Sequence, residues 1–219
     1  MEDLFSKIDS DERSRKLLSV AGRVYRDSIL ISDLEPNERI IDNLADLDTI
    51  VKLFKLWGVT VVLTMGTFDL LHVGHARYAR KARRHGSLLV IGLDDDQKAR
   101  GRKGENRPAV PYDERSELLT YLRCADLVVR KSHDQSKWAM IKVVRPHVLI
   151  AVKGTYEPQE LEDLKEFCGE IVVLERQAET STSAKIRRMI LDGADTFQKI
   201  LATELPEFVV HLYERMKRE

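Results

Sequence analysis

His72 and His75 stand three residues apart in the segment Met65-Gly66-Thr67-Phe68-Asp69-Leu70-Leu71-His72-Val73-Gly74-His75, which follows the apolar run VTVVLT. On a helix that spacing puts both imidazoles on one side. If a helix starts here, its unpaired N–H groups and positive dipole end face the same space, so an anion is the natural guest. Two imidazole donors beside a helix N-terminus suit the stabilisation of charge that builds on phosphorus during group transfer. Gly66 permits a tight turn whose backbone N–H groups approach the anion, and Gly74 keeps side-chain bulk away. An isolated HxxH on a helix is ordinarily a pair of surface or packing residues. Its place directly behind a strand, with both glycines, favours chemistry instead. A zinc pair is disfavoured because no third ligand stands at a suitable spacing, and neither GxGxxG nor GxxxxGK[ST] occurs here.

A second concentration of chemistry follows the run LLVIGL. Lys98, Arg100, Arg102, Lys103 and Arg107 oppose the single acid Glu105 in a stretch read as a loop. Such a run is usually a solvated face. Following a strand on the same side as the histidines, it reads better as an electrostatic clamp on phosphates. Arg115, opening a helix after Pro111, can reach the same anion or remain an exposed helix charge. Asp96 stands at the end of that strand.

These residues need a frame. Five short apolar runs, 59–64, 88–93, 126–129, 147–152 and 171–174, alternate with helical patterns at 74–85, 112–123, 136–145, 159–167 and 183–191. Continuous rather than alternating apolarity means strands covered on both faces. The expected fold is α/β: a Rossmann-like open parallel five-stranded sheet with helices on both faces, plus N- and C-terminal helical extensions. Before it, Leu44, Leu47, Ile50, Val51, Phe54 and Trp57 keep helical spacing after a cap at Asn43. After it, stripes on either side of Pro206 can cap the core or pair with a second subunit. The expected division is residues 1–58 as an extension, 59–195 as the catalytic domain and 196–219 as a second extension.

Gly66-Thr67-Phe68-Asp69-Leu70-Leu71-His72-Val73-Gly74-His75 resembles the HxGH signature of the cytidylyltransferase-like nucleotidyltransferases. A later segment, Ser181-Thr182-Ser183-Ala184-Lys185-Ile186, resembles that family's S-T-[ST]-x-x-I element at the start of a helix. Lys103-Gly104-Glu105-Asn106-Arg107-Pro108 is most similar to the KGxxRP linker of bacterial heptose-phosphate adenylyltransferases. The similarity spans about 59–191. It implies transfer of a nucleoside monophosphate from an NTP to a small phosphorylated acceptor with release of pyrophosphate. ATP is favoured as donor, a sugar phosphate as acceptor, and Mg²⁺ is the expected metal, held by the nucleotide and water rather than by protein ligands. The catalytic set is then His72, His75 and Lys103. In the turn, Gly66 and Gly74 flank Thr67 and Phe68, whose amides face phosphates, and Asp69, which fixes the turn or contacts ligand. Asp96, Arg107 and Arg115 follow on the nucleotide side. The resemblance adds Lys153 and Gly154 after the fourth strand, Arg176 after the fifth, and the triphosphate-binding Ser181, Thr182 and Ser183. Thr155 stands where these relatives carry an acidic residue, which leaves open both acceptor and base. A CTP-dependent enzyme for glycerol phosphate or another alcohol phosphate is the alternative. A nucleotide-binding regulatory protein without turnover is another.

Composition narrows the rest. The 219 residues carry 36 Lys+Arg against 36 Asp+Glu, and only 6% are aromatic. That balance argues against nucleic acid as a partner. No apolar run approaches a membrane span and the start is charged throughout, so a cytoplasmic protein without membrane attachment is expected. Cys124 and Cys168 lie far apart and read as packing residues. The family resemblance and the terminal stripes raise a homodimer as an expectation.

Overall fold

The computed structural model describes residues 12–27, 35–175, 177 and 182–217. They fall into two compact units that divide after Ala178.

The first unit is built on strands that the sequence marks by dense β-branched and leucine runs. They are β1 (Ile40–Ile41), β2 (Val61–Gly66), β3 (Leu88–Asp94), β4 (Leu127–Lys131), β5 (Val148–Val152) and β6 (Glu170–Leu174). All pair in parallel in the order β1-β4-β3-β2-β5-β6, with Thr64 opposite Ile91 on one side and Ile150 on the other. Alternation sets the two faces. Val61, Leu63, Val90, Val129 and Leu149 pack with the helices α1 (Glu12–Asp27), α2 (Leu44–Leu56) and α6 (Ala139–Val144). Val62, Leu89, Ile91, Val128 and Ile150 pack with α3 (Val73–Arg83) and α5 (Tyr112–Thr120). Among the described residues the first unit also has the α-helices α4 (Asp96–Lys103) and α7 (Pro158–Leu164) and a 3-10 turn at Pro36–Arg39.

Three features differ from the sequence expectation. The sheet has a sixth strand: Ile40 and Ile41 pair with Val128 and Val129, so the first 58 residues contribute to the sheet as well as packing on it. The cation-rich stretch 96–103 is not a loop but the helix α4. Asp95 caps it by accepting from the Lys98 amide at 2.6 Å, and Arg100, Arg102 and Lys103 occupy its last turn, where the dipole favours cations. The described residues of the second unit form one helix, α8 (Thr182–Met216), that runs through Pro206. An interior proline removes one ladder bond, and here the helix continues past it. The expected N-cap of α2 is present: Asn43 Oδ1 accepts from the Asp46 amide at 2.9 Å.

The chain goes outward from β2 to β3 and β4, then returns to β5 on the other side of β2. In such sheets the crevice for ligands opens at the carboxyl ends of the strands where the order reverses, here between β2 and β5. The turn after β2 carries the histidines.

Candidate active site

Residues 67–72 link β2 to α3. Phe68 and Leu70 hold φ values of 47° and 46°, in the left-handed region that side chains other than glycine rarely adopt. Each such residue costs on the order of 1–3 kcal/mol and persists only where surrounding contacts fix it. Gly66 supplies one condition: a Cβ there would lie 3.1 Å from Cε2 of the Phe68 ring, so the ring occupies the space a side chain would take. Phe68 is buried, 5.3 Å from the His75 ring and 6.5 Å from the Tyr78 ring.

Hydrogen bonds supply the others. The Asp69 carboxylate, 1% exposed, accepts from the amides of Ala109 and Val110 at 3.0–3.1 Å and lies 3.1 Å from Arg107. Thr67 Oγ1 donates to Asp94 Oδ2 at 3.0 Å, and Thr67 O accepts from Arg115 at 2.6 Å. The turn is therefore held from β3, from the 107–110 linker and from α5.

Both histidines take part in starting α3. His72 is the N-cap, its Nδ1 accepting from the Gly74 amide at 3.1 Å; His75, at the third helical position, accepts from the His72 amide through Nδ1 at 3.4 Å. This is the reciprocal geometry of a capping box, made from imidazoles. A ring nitrogen that accepts carries no proton, so the pattern assigns each neutral ring its proton on Nε2. The rings stack with centroids 4.0 Å apart.

Asp94 ends β3 with a fully buried carboxylate. Arg102 lies 2.7 Å from it and Lys131, at the end of β4, 3.3 Å. Two cations against one carboxylate leave local positive charge. Desolvation and nearby Arg102 hold the Lys131 ammonium below the usual lysine range although Asp94 pulls it up. Partial burial, with Arg107 and Arg102 close by, lowers Lys103 in the same way.

The structure thus brings Gly66, Thr67, Phe68, Asp69, His72, Gly74, His75, Arg107 and Arg115 together around one turn. Lys103 ends the adjacent helix α4. Asp96, the first residue of α4, pairs with Arg115 at 2.6 Å. Lys153 and Gly154 follow β5 across the crevice, and Lys153 pairs with Glu175 at 2.8 Å. Arg176 and Ser181 lie outside the described residues; Thr182 and Ser183 open α8 in the second unit. Asp94 and Lys131 were missed by the sequence reading. The signal existed: Asp94 is the polar residue that follows the run LLVIGL, and Lys131 is the second of the two cations after Leu127-Val128-Val129, both at the carboxyl ends of strands that face the crevice in a parallel sheet. Among the described residues no cluster of three His, Cys, Asp or Glu could hold a metal ion.

Residues 63–210 match the family model described as cytidylyltransferase-like. The chain is 42% identical over 137 residues to the bifunctional protein HldE of Syntrophotalea carbinolica, an alignment covering 62% of this chain and 28% of that protein. It is 32% identical over 179 residues to the bifunctional protein HldE of Nitratiruptor sp., covering 78% and 38%. The chain therefore spans well under half the length of these relatives. A solved structure, the lipopolysaccharide core biosynthesis protein from Thermoplasma volcanium GSS1, aligns with a TM-score of 0.47 and 24% identity over 57% of this chain and all of that one.

Proposed function

We infer that this chain, which belongs to the cytidylyltransferase-like family, is a nucleotidyltransferase that moves a nucleoside monophosphate from an NTP to a sugar phosphate. The observation that carries the reading is the histidine-capped start of α3 at the strand-order reversal, with its Nε2–H tautomers and the cations of α4 and β4 beside it.

The acceptor's phosphate monoester has a second pKa near 6, so near neutral pH it is largely a dianion and needs no general base. One of its oxygens attacks the α-phosphorus as the bond to the leaving pyrophosphate breaks. The enzyme's work is alignment of two anions and neutralisation of charge that appears at the α-phosphate and on pyrophosphate. His72 and His75 donate from Nε2 to α- and β-phosphate oxygens, and the start of α3 adds backbone N–H groups. Lys103, with Arg107 in support, takes the leaving group. Ser181, Thr182 and Ser183 are assigned to the triphosphate by their resemblance to the family's late segment. With no cluster of metal-ligating side chains among the described residues, Mg²⁺ would be held by the nucleotide itself and would supply neutralisation of triphosphate charge. ATP is the favoured donor because 103–108 resembles the KGxxRP linker.

Pyrophosphate release tests this directly, with ATP, CTP, GTP and UTP crossed against heptose, hexose, pentose and glycerol phosphates in Mg²⁺. Release that needs ATP and one sugar phosphate is expected. Release only with CTP and glycerol phosphate would transfer the assignment to an alcohol-phosphate cytidylyltransferase. Nucleotide binding without release from any pair would make the chain a regulatory nucleotide binder.

A further inference from the structure

Arg115 reads from the sequence as a phosphate ligand, yet its surroundings leave it another task. Its side chain is 1% exposed. Nε donates to Val110 O at 2.8 Å, Nη1 to Thr67 O at 2.6 Å and Asp94 O at 3.1 Å, and Nη2 to Asp96 Oδ1 at 2.6 Å. Four of the five guanidinium N–H groups are thereby spent on protein acceptors. Those acceptors sit on four separate pieces of the site: the turn after β2, the end of β3, the first residue of α4 and the linker before α5.

We propose that Arg115 is a positioning residue, a buried clamp that fixes the strained histidine turn relative to the cationic helix α4, and that it does not touch the nucleotide. The geometry requires such a device. Phe68 and Leu70 lie in left-handed backbone that relaxes unless held. Thr67 O, immediately before them, accepts Arg115 Nη1, and Asp69, between them, is tied to the amides of the same linker whose Val110 carbonyl accepts Arg115 Nε. One guanidinium closes the loop between turn and linker, and its fourth bond pins the start of α4, which ends in Lys103. Only the planar fork can serve all four acceptors at once; a lysine ammonium keeps the charge and loses the geometry.

The consequence for catalysis rests on the nucleotidyltransferase reading, and the test separates the two. In full-length Arg115→Lys, backbone hydrogen exchange at Gly74, Ala109 and Val110 should quicken at least tenfold while Leu149 and Ile150 in β5 keep their wild-type rates. Under the same conditions kcat for pyrophosphate release should fall about 10–100-fold, as expected when reacting groups are misplaced, with KM for the NTP nearly unchanged. A phosphate ligand would behave oppositely, Lys rescuing much of the activity and the loss appearing in KM. Unchanged exchange at the three amides, or an equal rise throughout β5, overturns the proposal. Absence of pyrophosphate release from the wild-type chain overturns the enzymatic reading, and the exchange rates still decide the role of Arg115. Should Arg115→Lys fail to fold, Asp96→Ala removes only the fourth contact by deleting its acceptor, and the same three amides should quicken to a smaller extent; no change there counts against the clamp.

Discussion

A capping box ordinarily joins a hydroxyl to a glutamate or glutamine. In this chain imidazoles fill both halves, so on the proposed function one spacing serves helix initiation and phosphate chemistry, and the two roles can be separated. His72→Ala should cost about 1 kcal/mol of stability through the lost cap and His72→Ser should restore it, whereas pyrophosphate release should fall about 10²–10³-fold in both. Serine restoring turnover together with Tm would reduce His72 to a cap. At Lys103 the protonated ammonium is the form that holds an anion, and burial with Arg107 and Arg102 nearby lowers its pKa. The proton is therefore lost at lower pH than from an ordinary lysine, whose pKa is about 10.4, and activity should decline on the alkaline side below that value. Arg102→Gln removes one crowding cation and should shift the decline upward in pH. A limb that stays in place would detach Lys103 from the rate. The histidines were legible in the sequence because their spacing and glycines are local. Asp94 and Lys131 were missed, and the burial of Arg115 was not visible, because the partners of these residues lie 5 to 48 positions away.

The sheet holds α3 through a buried polar joint: the Thr64 and Tyr78 hydroxyls share a hydrogen bond at 2.6 Å, in which one donates to the other, and the hydroxyl that accepts donates in turn to Ile150 O, which lies 3.1 Å from Thr64 Oγ1 and 3.3 Å from the Tyr78 hydroxyl. Burial pushes the Tyr78 phenol up to about 12, so it stays protonated and able to donate throughout the neutral range. The helix that carries the histidines is thereby anchored to both β2 and β5. At the opposite, amino end of β2 and β3, a Cβ on Gly86 would stand 2.6 Å from the backbone oxygen of Thr60. Main chain cannot step aside as a side chain can, so Gly86→Ala should lower stability by about 1–3 kcal/mol with KM unaltered, read by denaturant melts beside the pyrophosphate assay. A shifted KM would mean that this end of the strands communicates with the turn after β2. The sequence marked β2 to β6 because runs of three to five consecutive apolar residues announce a strand covered on both faces. It could not mark β1, whose two isoleucines form no periodic pattern. Nor could it mark α4, where Ala99 is the buried residue and charge conceals the helical period.

For the whole molecule, the family match runs from β2 into α8 and so crosses both compact units. If Thr182 and Ser183 hold the triphosphate, Thr182→Val with Ser183→Ala should raise KM for the NTP about tenfold, the size expected for a lost hydrogen bond to a charged group, and leave thermal unfolding of the first unit unchanged. An unaltered KM would remove the late segment from the nucleotide's contacts. That segment was legible by resemblance alone, since its composition carries no signal beyond a helix start. The strand order has a further consequence, during synthesis. As the chain leaves the ribosome, β2 can pair with β3, and β3 with β4, but the other edge of β2 waits for β5. At about 5–20 residues per second the wait after β4 lasts roughly 1–4 s. Throughout it the nascent chain exposes an unpaired edge of Val61, Val62 and Leu63, the kind of strand on which neighbouring chains aggregate, so yield on overexpression should depend on how quickly translation passes from Lys131 to Val152.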